Sequence, residues 1–204
     1  HHVMLSYGFK ISDNANMKIE PYFQQLYNVP VIADSSYSVL NRRDFYVENV
    51  LVNQGKGRNI GVDITLERYL YKGLYYMVTA SIFDSKYYGG DRKWRNTLYN
   101  RNFIVNVLGG KEWMVGRDKQ NIFSMNFKIT LQGGDRYAPV DEAATLLDPD
   151  REVQYDETKA FSKQFSPMFI TNFSVGYKIN RKKVSHEFSI KSLNTTGCEE
   201  YYGH

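Results

Sequence analysis

The sequence predicts an all-β fold, an antiparallel meander of about eight long strands that forms part of the wall of a transmembrane β-barrel. Three observations predict it. Apolar and polar residues alternate over eight segments, most of them about the 9 to 11 residues that a tilted strand needs to cross hydrocarbon and longer than the roughly 5 or 6 of an ordinary strand. Short and long connections alternate strictly along the chain. Mean hydropathy is −0.50 and no apolar run is long enough for a spanning helix, as expected where only every second residue of a strand faces lipid.

The clearest segment follows Gly57, with Ile60, Val62, Ile64, Leu66 and Leu70 on one face and Gly61, Asp63, Thr65, Glu67 and Tyr69 on the other. From Asn121, Phe123, Met125, Phe127, Ile129 and Leu131 oppose Ser124, Asn126, Lys128, Thr130 and Gln132. Val3 to Ile11 and Lys18 to Tyr27 form a first pair, in which Pro21 predicts a bulge or an irregular ladder position. Leu74 to Phe83, Asn102 to Gly110, Phe169 to Ile179 and Val184 to Leu193 complete the set.

Tight turns are expected at Ser12 to Asn16, at Tyr71 to Gly73 and at Asn180 to Lys183, with a hairpin-like link through Trp113, Gly116 and Lys119. Long connections run for about thirty residues from Asn28, from Asp84 to Arg101, and for about thirty from Gly133. The alternation places every long connection at one end of the strands, the asymmetry of outer-membrane barrels, whose turns are short on the periplasmic side and long outside. Tyr69, Tyr71, Tyr75, Tyr76, Trp113, Tyr177 and Phe9 group near the short-turn end, where amphipathic rings suit an interface. Arg68 lies near its strand's end, within reach of the same interface.

Composition narrows the function classes. With 26 Lys and Arg interleaved among 22 Asp and Glu, the net charge of +4 leaves no basic footprint for nucleic acid. One cysteine, Cys198, excludes an intrachain disulfide framework and a Cys-rich zinc site. The 15% aromatic content includes 17 Tyr and 12 Phe and supplies the rings just described. The chain has no nucleophile elbow, phosphate-binding glycine loop or helical histidine pair, so no enzyme activity, cofactor or metal is expected. His1 and His2 would point to opposite faces of a strand, and His186 beside Glu187 reads as an interfacial or lumen-adjacent polar residue. The first residues run straight into alternation, so an export signal is expected upstream or already removed.

Four runs carry a family resemblance: 55–63 (GKGRNIGVD), 110–113 (GKEW), 132–139 (QGGDRYAP) and 180–188 (NRKKVSHEF). In this order and spacing they resemble the C-terminal barrel strands of TonB-dependent outer-membrane receptors, and the resemblance spans nearly the whole chain. It implies a barrel of about 22 strands closed by an N-terminal plug, which imports scarce nutrients such as metal chelates or glycans with energy relayed from the inner membrane. The expected localisation is a Gram-negative type outer membrane. Implied partners are outer-membrane lipid, the inner-membrane TonB energy-coupling complex acting through a plug outside this sequence, an extracellular small-molecule or glycan ligand, and a surface lipoprotein. Residues 1–204 then form a partial barrel domain, and the ending Tyr201 to His204 reads as a loop, with at least one final strand beyond it.

Ligand contacts are expected in the long connections. Asp84 to Arg101 interleaves Tyr87, Tyr88, Trp94 and Tyr99 with Arg92, Lys93, Arg95 and Arg101, which suits an anionic or sugar-like ligand or, equally, packing of the loop on its neighbours and lipid phosphates. The candidate ligand-binding residues are Tyr87, Tyr88, Arg92, Trp94 and Arg95, with Arg136 and Tyr137 from the third connection. The acidic run Asp141, Glu142, Asp148, Asp150, Glu152, Asp156 and Glu157 lacks the spacing of a calcium loop and reads as a solvated loop. Two rival architectures are a complete small eight-stranded barrel with an adhesive or structural role, and a soluble carbohydrate-binding β-sandwich whose apolar faces would pair across a core.

Overall fold

A computed structural model describes residues 1–41, 49–150 and 152–199. The expected loop at Tyr201 to His204 and part of the first long connection lie outside the described residues. The chain forms an antiparallel meander from β1 (His2–Met4), β2 (Tyr7–Ser12), β3 (Ala15–Ile32), β4 (Leu51–Tyr71), β5 (Leu74–Tyr88), β6 (Trp94–Asn96), β7 (Phe103–Val115), β8 (Asn121–Gln132), β11 (Met168–Asn180) and β12 (Ser185–Ser192). The sheet order is β1-β3-β4-β5-β7-β8-β11-β12, with β2 also on β3 and β6 also on β5. A separate hairpin pairs β9 (Arg136–Tyr137) with β10 (Lys163–Gln164), and a short helix α1 (Glu142–Leu147) lies between them. The fold is therefore all-β, as the alternation predicts, and the sheet is open among the described residues.

Register carries the alternation across the sheet. Ile19, Ile64, Ala80, Val105, Leu131 and Phe169 stand side by side on one face, one residue from each successive strand. On the other face Lys18, Thr65, Thr79, Asn106, Thr130 and Ile170 form the corresponding row. The polar face ties itself together by side-chain hydrogen bonds: Asn59 donates to Gln24 at 2.7 Å, Ser85 to Asn59 at 2.6 Å, Thr130 to Asn106 at 2.8 Å, and Tyr75 to Asn126 at 2.7 Å. On the apolar face the described side-chain links lie toward the strand ends, at Asp84–Lys86 and Asn121–Tyr177, and Ile60, Ile82, Phe127, Phe169 and Phe173 are exposed. Val62, Ile64 and Ile129 are half-buried by their strand neighbours.

Several elements exceed their expected bounds. β4 begins at Leu51, ahead of Gly57, and β3 runs on to Ile32, so much of the first long connection is an extension of the β3–β4 hairpin. A left-handed Asn28 (φ 55°) and shifts in register around Val29 break the regular pairing there. β5 likewise continues through Tyr88, which makes Tyr87 and Tyr88 strand residues rather than loop residues. The first strand is split into β1 and β2 opposite Pro21. Leu5 N–H donates to the Pro21 carbonyl at 3.1 Å, and the return bond is the one a proline cannot make. Met4 faces Tyr22 and Tyr7 faces Ile19, so the register passes unchanged through the gap: an interrupted ladder and not a bulge.

Short turns join β2 to β3, β4 to β5, β7 to β8 and β11 to β12 at one end of the sheet, and the three long connections all fall at the other. Buried side chains concentrate at that second end. Glycines and Ala15 aside, the buried residues among those described are Val29, Val31, Ser38, Tyr87, Arg95, Thr97, Leu98, Asn100, Asp135, Ala160 and Met168, all within or beneath the long connections. The described chain thus has a cap with a core and a wall without one.

Candidate ligand site at the long-connection end

The cap is stitched from three stretches of chain. Asn41 of the first connection accepts a hydrogen bond from Leu98 N–H of the second at 2.8 Å, and the Ser35 carbonyl accepts from Asp91 N–H at 3.1 Å. Ser35 Oγ donates to Glu157 of the third connection at 3.3 Å. Between the second and third, Arg101 Nε reaches Asp135 at 2.6 Å, while Arg136 donates to the Asn100 carbonyl at 2.8 Å and to Asn102 Oδ1 at 2.7 Å. Asn100 is fully buried and donates to both Asp84 and Asn96 at 3.0 Å, so an amide takes the place of a hydrophobic plug. At Gly133 an added Cβ would lie 1.8 Å from the Arg101 carbonyl, a contact that only glycine permits.

The expected ligand residues do not converge on one site, because β5 and β6 project alternate residues to opposite faces. Tyr87 and Arg95 oppose each other on the polar side of the sheet, with Gly57 as Tyr87's other partner. Tyr87 is fully buried edge-on against Phe161, ring centroids 6.1 Å apart, and burial pushes its phenol above the ordinary tyrosine range. Arg95 is held by Asp91 in a two-pronged ion pair at 2.8 and 2.5 Å, which holds the Asp91 carboxyl below its usual range. Both are structural members of the cap. Tyr88 and Trp94 stand on the apolar side, their rings 5.5 Å apart.

Arg92 sits exposed in a left-handed turn (φ 62°), its N–H bonded to the Gly89 carbonyl. Arg136 is half-buried by the bonds already described, and desolvation lowers its pKa. Tyr137 stacks on Phe165 with centroids 4.3 Å apart. Within the acidic run, Asp141 caps α1 by accepting from Ala144 N–H, Asp148 accepts from Asp150 N–H, Glu152 N–H and Gln154 Nε2, and Asp156 caps the 3-10 turn at Glu157–Lys159. Among the described residues no group of His, Cys, Asp and Glu could hold a metal ion.

A different concavity opens on the polar face at this end of the sheet. It has a volume of about 490 Å³ and is bounded by rings of His2, Tyr22, Phe83 and Tyr99 and by polar groups of Gln24, Asn59, Asp63 and Ser85. Rings that can stack on a flat apolar patch, alternating with neutral amides, a hydroxyl and one carboxylate, make a binding surface for a polar, ring-bearing molecule. Sequence reading assigns Asn59, Asp63 and Tyr22 to strands without singling them out, because every polar face in the meander has similar composition. What selects them is register: Tyr22 opposes Gly61, whose missing side chain leaves room for the tyrosine hydroxyl, at 2.6 Å from where a Cβ would be.

Fold and site together define an open β-meander wall with an ordered cap at one end and a concave polar face beneath it. Comparison of the chain with protein-family models, with curated proteins and with solved structures returns no match.

Proposed function

We propose that the chain is a section of the barrel wall of an outer-membrane active-transport receptor of the TonB-dependent kind. Its apolar face meets lipid, its polar face lines the lumen, and its long connections stand outside the cell. The observation that carries this reading is the uncovered apolar face of the central strands: Ile60, Ile82, Phe127, Phe169 and Phe173 stay exposed although the chain has ample length to fold a second layer over them. A β-sandwich would pair that face with another sheet, and the separate β9–β10 hairpin is too short to do so. The consistent placement of long connections at one end supports the same orientation.

On this reading the 490 Å³ concavity is part of the lumen's ligand path, and its rings and amides receive a scarce nutrient after capture. Energy would reach it from the inner membrane through a plug encoded outside this sequence. The work is binding and gating, with no bond-making.

The test follows the full-length protein in its host. Outer-membrane fractions should contain it in a heat-modifiable form, and a host lacking the energy-coupling protein should lose growth on whichever nutrient the full-length gene supports. Recovery in the soluble fraction would overturn the membrane reading; growth that survives loss of energy coupling would overturn active transport alone.

A further inference from the structure

Going up the apolar face of the β4–β5 ladder toward the long connections, Val62 pairs with Ile82, then Ile60 with Asp84, then Arg58 with Lys86, then Lys56 with Tyr88. Hydrocarbon character gives way to positive charge within two ladder steps. Arg58 and Lys86 are directly opposite on one face, an arrangement that raises the free energy of a bare ladder, since like charges there repel. Asp84 lies 3.2 Å from Lys86 and also accepts from Asn100, while Lys56 and Arg58 have no carboxylate partner among the described residues. Two rings hold these cations in place: Lys56 Nζ is 5.6 Å from the Tyr88 centroid, and the Arg58 guanidinium carbon is 5.4 Å from that of Trp94.

We propose that Lys56, Arg58 and Lys86 form a binding site for the phosphate of a phosphorylated glycolipid in the outer leaflet. The inference rests on the reading that the apolar face meets lipid. Guanidinium and ammonium groups converging on one face supply charge-assisted donors, and a bridging phosphate turns the Arg58–Lys86 repulsion into shared attraction. Continuity with the apolar wall selects a lipid over free phosphate. Acyl chains below the headgroup would lie along Ile60 and Ile82, which are 51% and 58% exposed, while Tyr88 and Trp94 mark the interfacial level.

The test uses the full-length receptor, wild type and K56Q/R58Q/K86Q, purified in detergent and loaded with bisphosphorylated lipid A or with its dephosphorylated form, with bound lipid counted by native mass spectrometry. Retention of the bisphosphorylated lipid should fall about fivefold for each cation removed, the charge-keeping K56R/K86R variant should retain it, and the dephosphorylated form should bind wild type and variant equally weakly. Millimolar inorganic phosphate should not displace the lipid; displacement would assign the site to free phosphate and overturn the proposal. Equal retention by wild type and the triple variant would overturn it too. The membrane reading is checked in parallel by comparing wild type with W94F, where the fluorescence that W94F lacks should be the part quenched by brominated acyl chains. Quenching without phosphate dependence defeats only the lipid site, whereas absence of quenching at Trp94, together with recovery of the protein in the soluble fraction, defeats the membrane reading.

Discussion

Arg95 and Asp91, four residues apart where β5 turns into β6, form a two-pronged ion pair of which only 6% of the arginine side chain and 19% of the aspartate side chain are exposed. Arg95 also reaches the Thr158 carbonyl at 3.4 Å, so the pair anchors the second long connection to the third. Asp91→Asn keeps the shape and removes the charge. The cap should then open more readily by about 2 kcal/mol, the value of a hydrogen bond to a charged group in a partly buried setting. Trypsin cleavage at Arg92 and Lys93 should speed up about thirtyfold under conditions where opening is rapid, and an unchanged rate would show that the pair does not hold the loop.

The two faces of β4 make opposite demands on a charge. Ile64→Lys puts an ammonium in the middle of the apolar row and should cost about 2 to 4 kcal/mol in a bilayer. Thr65→Lys, one residue on, faces the polar side, meets only the repulsion of Lys18 directly opposite, and should cost less than about 1 kcal/mol. Urea titration of refolding into lipid vesicles separates the two, and equal costs would mean that neither face meets hydrocarbon.

Asp156 gives the cap a sensitivity to acid. Hydrogen bonds from Lys159 and Thr158, helped by the lysine's charge, lower its carboxyl from the ordinary 3.8 to about 2. Because the folded value lies below the unfolded one, the ionised cap contributes its stabilisation fully above about pH 4 and loses it as pH falls through about 2. Amide exchange at Thr158, corrected for intrinsic rate, should rise across that window in the wild type. In Asp156→Asn it should already be elevated at pH 6 and should not change across the window.

Pro21→Val restores an N–H opposite the Leu5 carbonyl. The interrupted ladder between β1 and β2 should then close, adding about 0.5 to 1.5 kcal/mol to the first hairpin. The new amide should exchange slowly; fast exchange at position 21 would mean that something other than the missing donor separates the two strands.

Much of the wall was legible in the sequence because a strand's period is a local property. Ile60 to Leu70 and Phe123 to Leu131 declare their faces without reference to any partner, and the lengths of the connections declare which ends lie together. The extensions of β3, β4 and β5 were less legible. Val29 to Ile32 and Lys56 read as part of a long connection, whereas they continue a ladder beyond the apolar row. The candidate site divided for a similar reason: Tyr87 and Tyr88 are neighbours in sequence, and a strand sends neighbours to opposite sides. The concavity around Tyr22, Asn59 and Tyr99 depends on which residues face one another across four strands and a loop, information that no local period contains.

The shared bonding of the three long connections limits how this end of the molecule can diverge. A residue inserted near Asn41, Asn100 or Asp135 disturbs partners in a second connection as well as in its own, while changes at Leu146, Leu147 or Arg92, which are exposed and make no bonds to the other connections among the described residues, disturb only their own turn. Sequence drift among descendants of this chain should therefore collect at a few protruding tips above a cap that changes slowly.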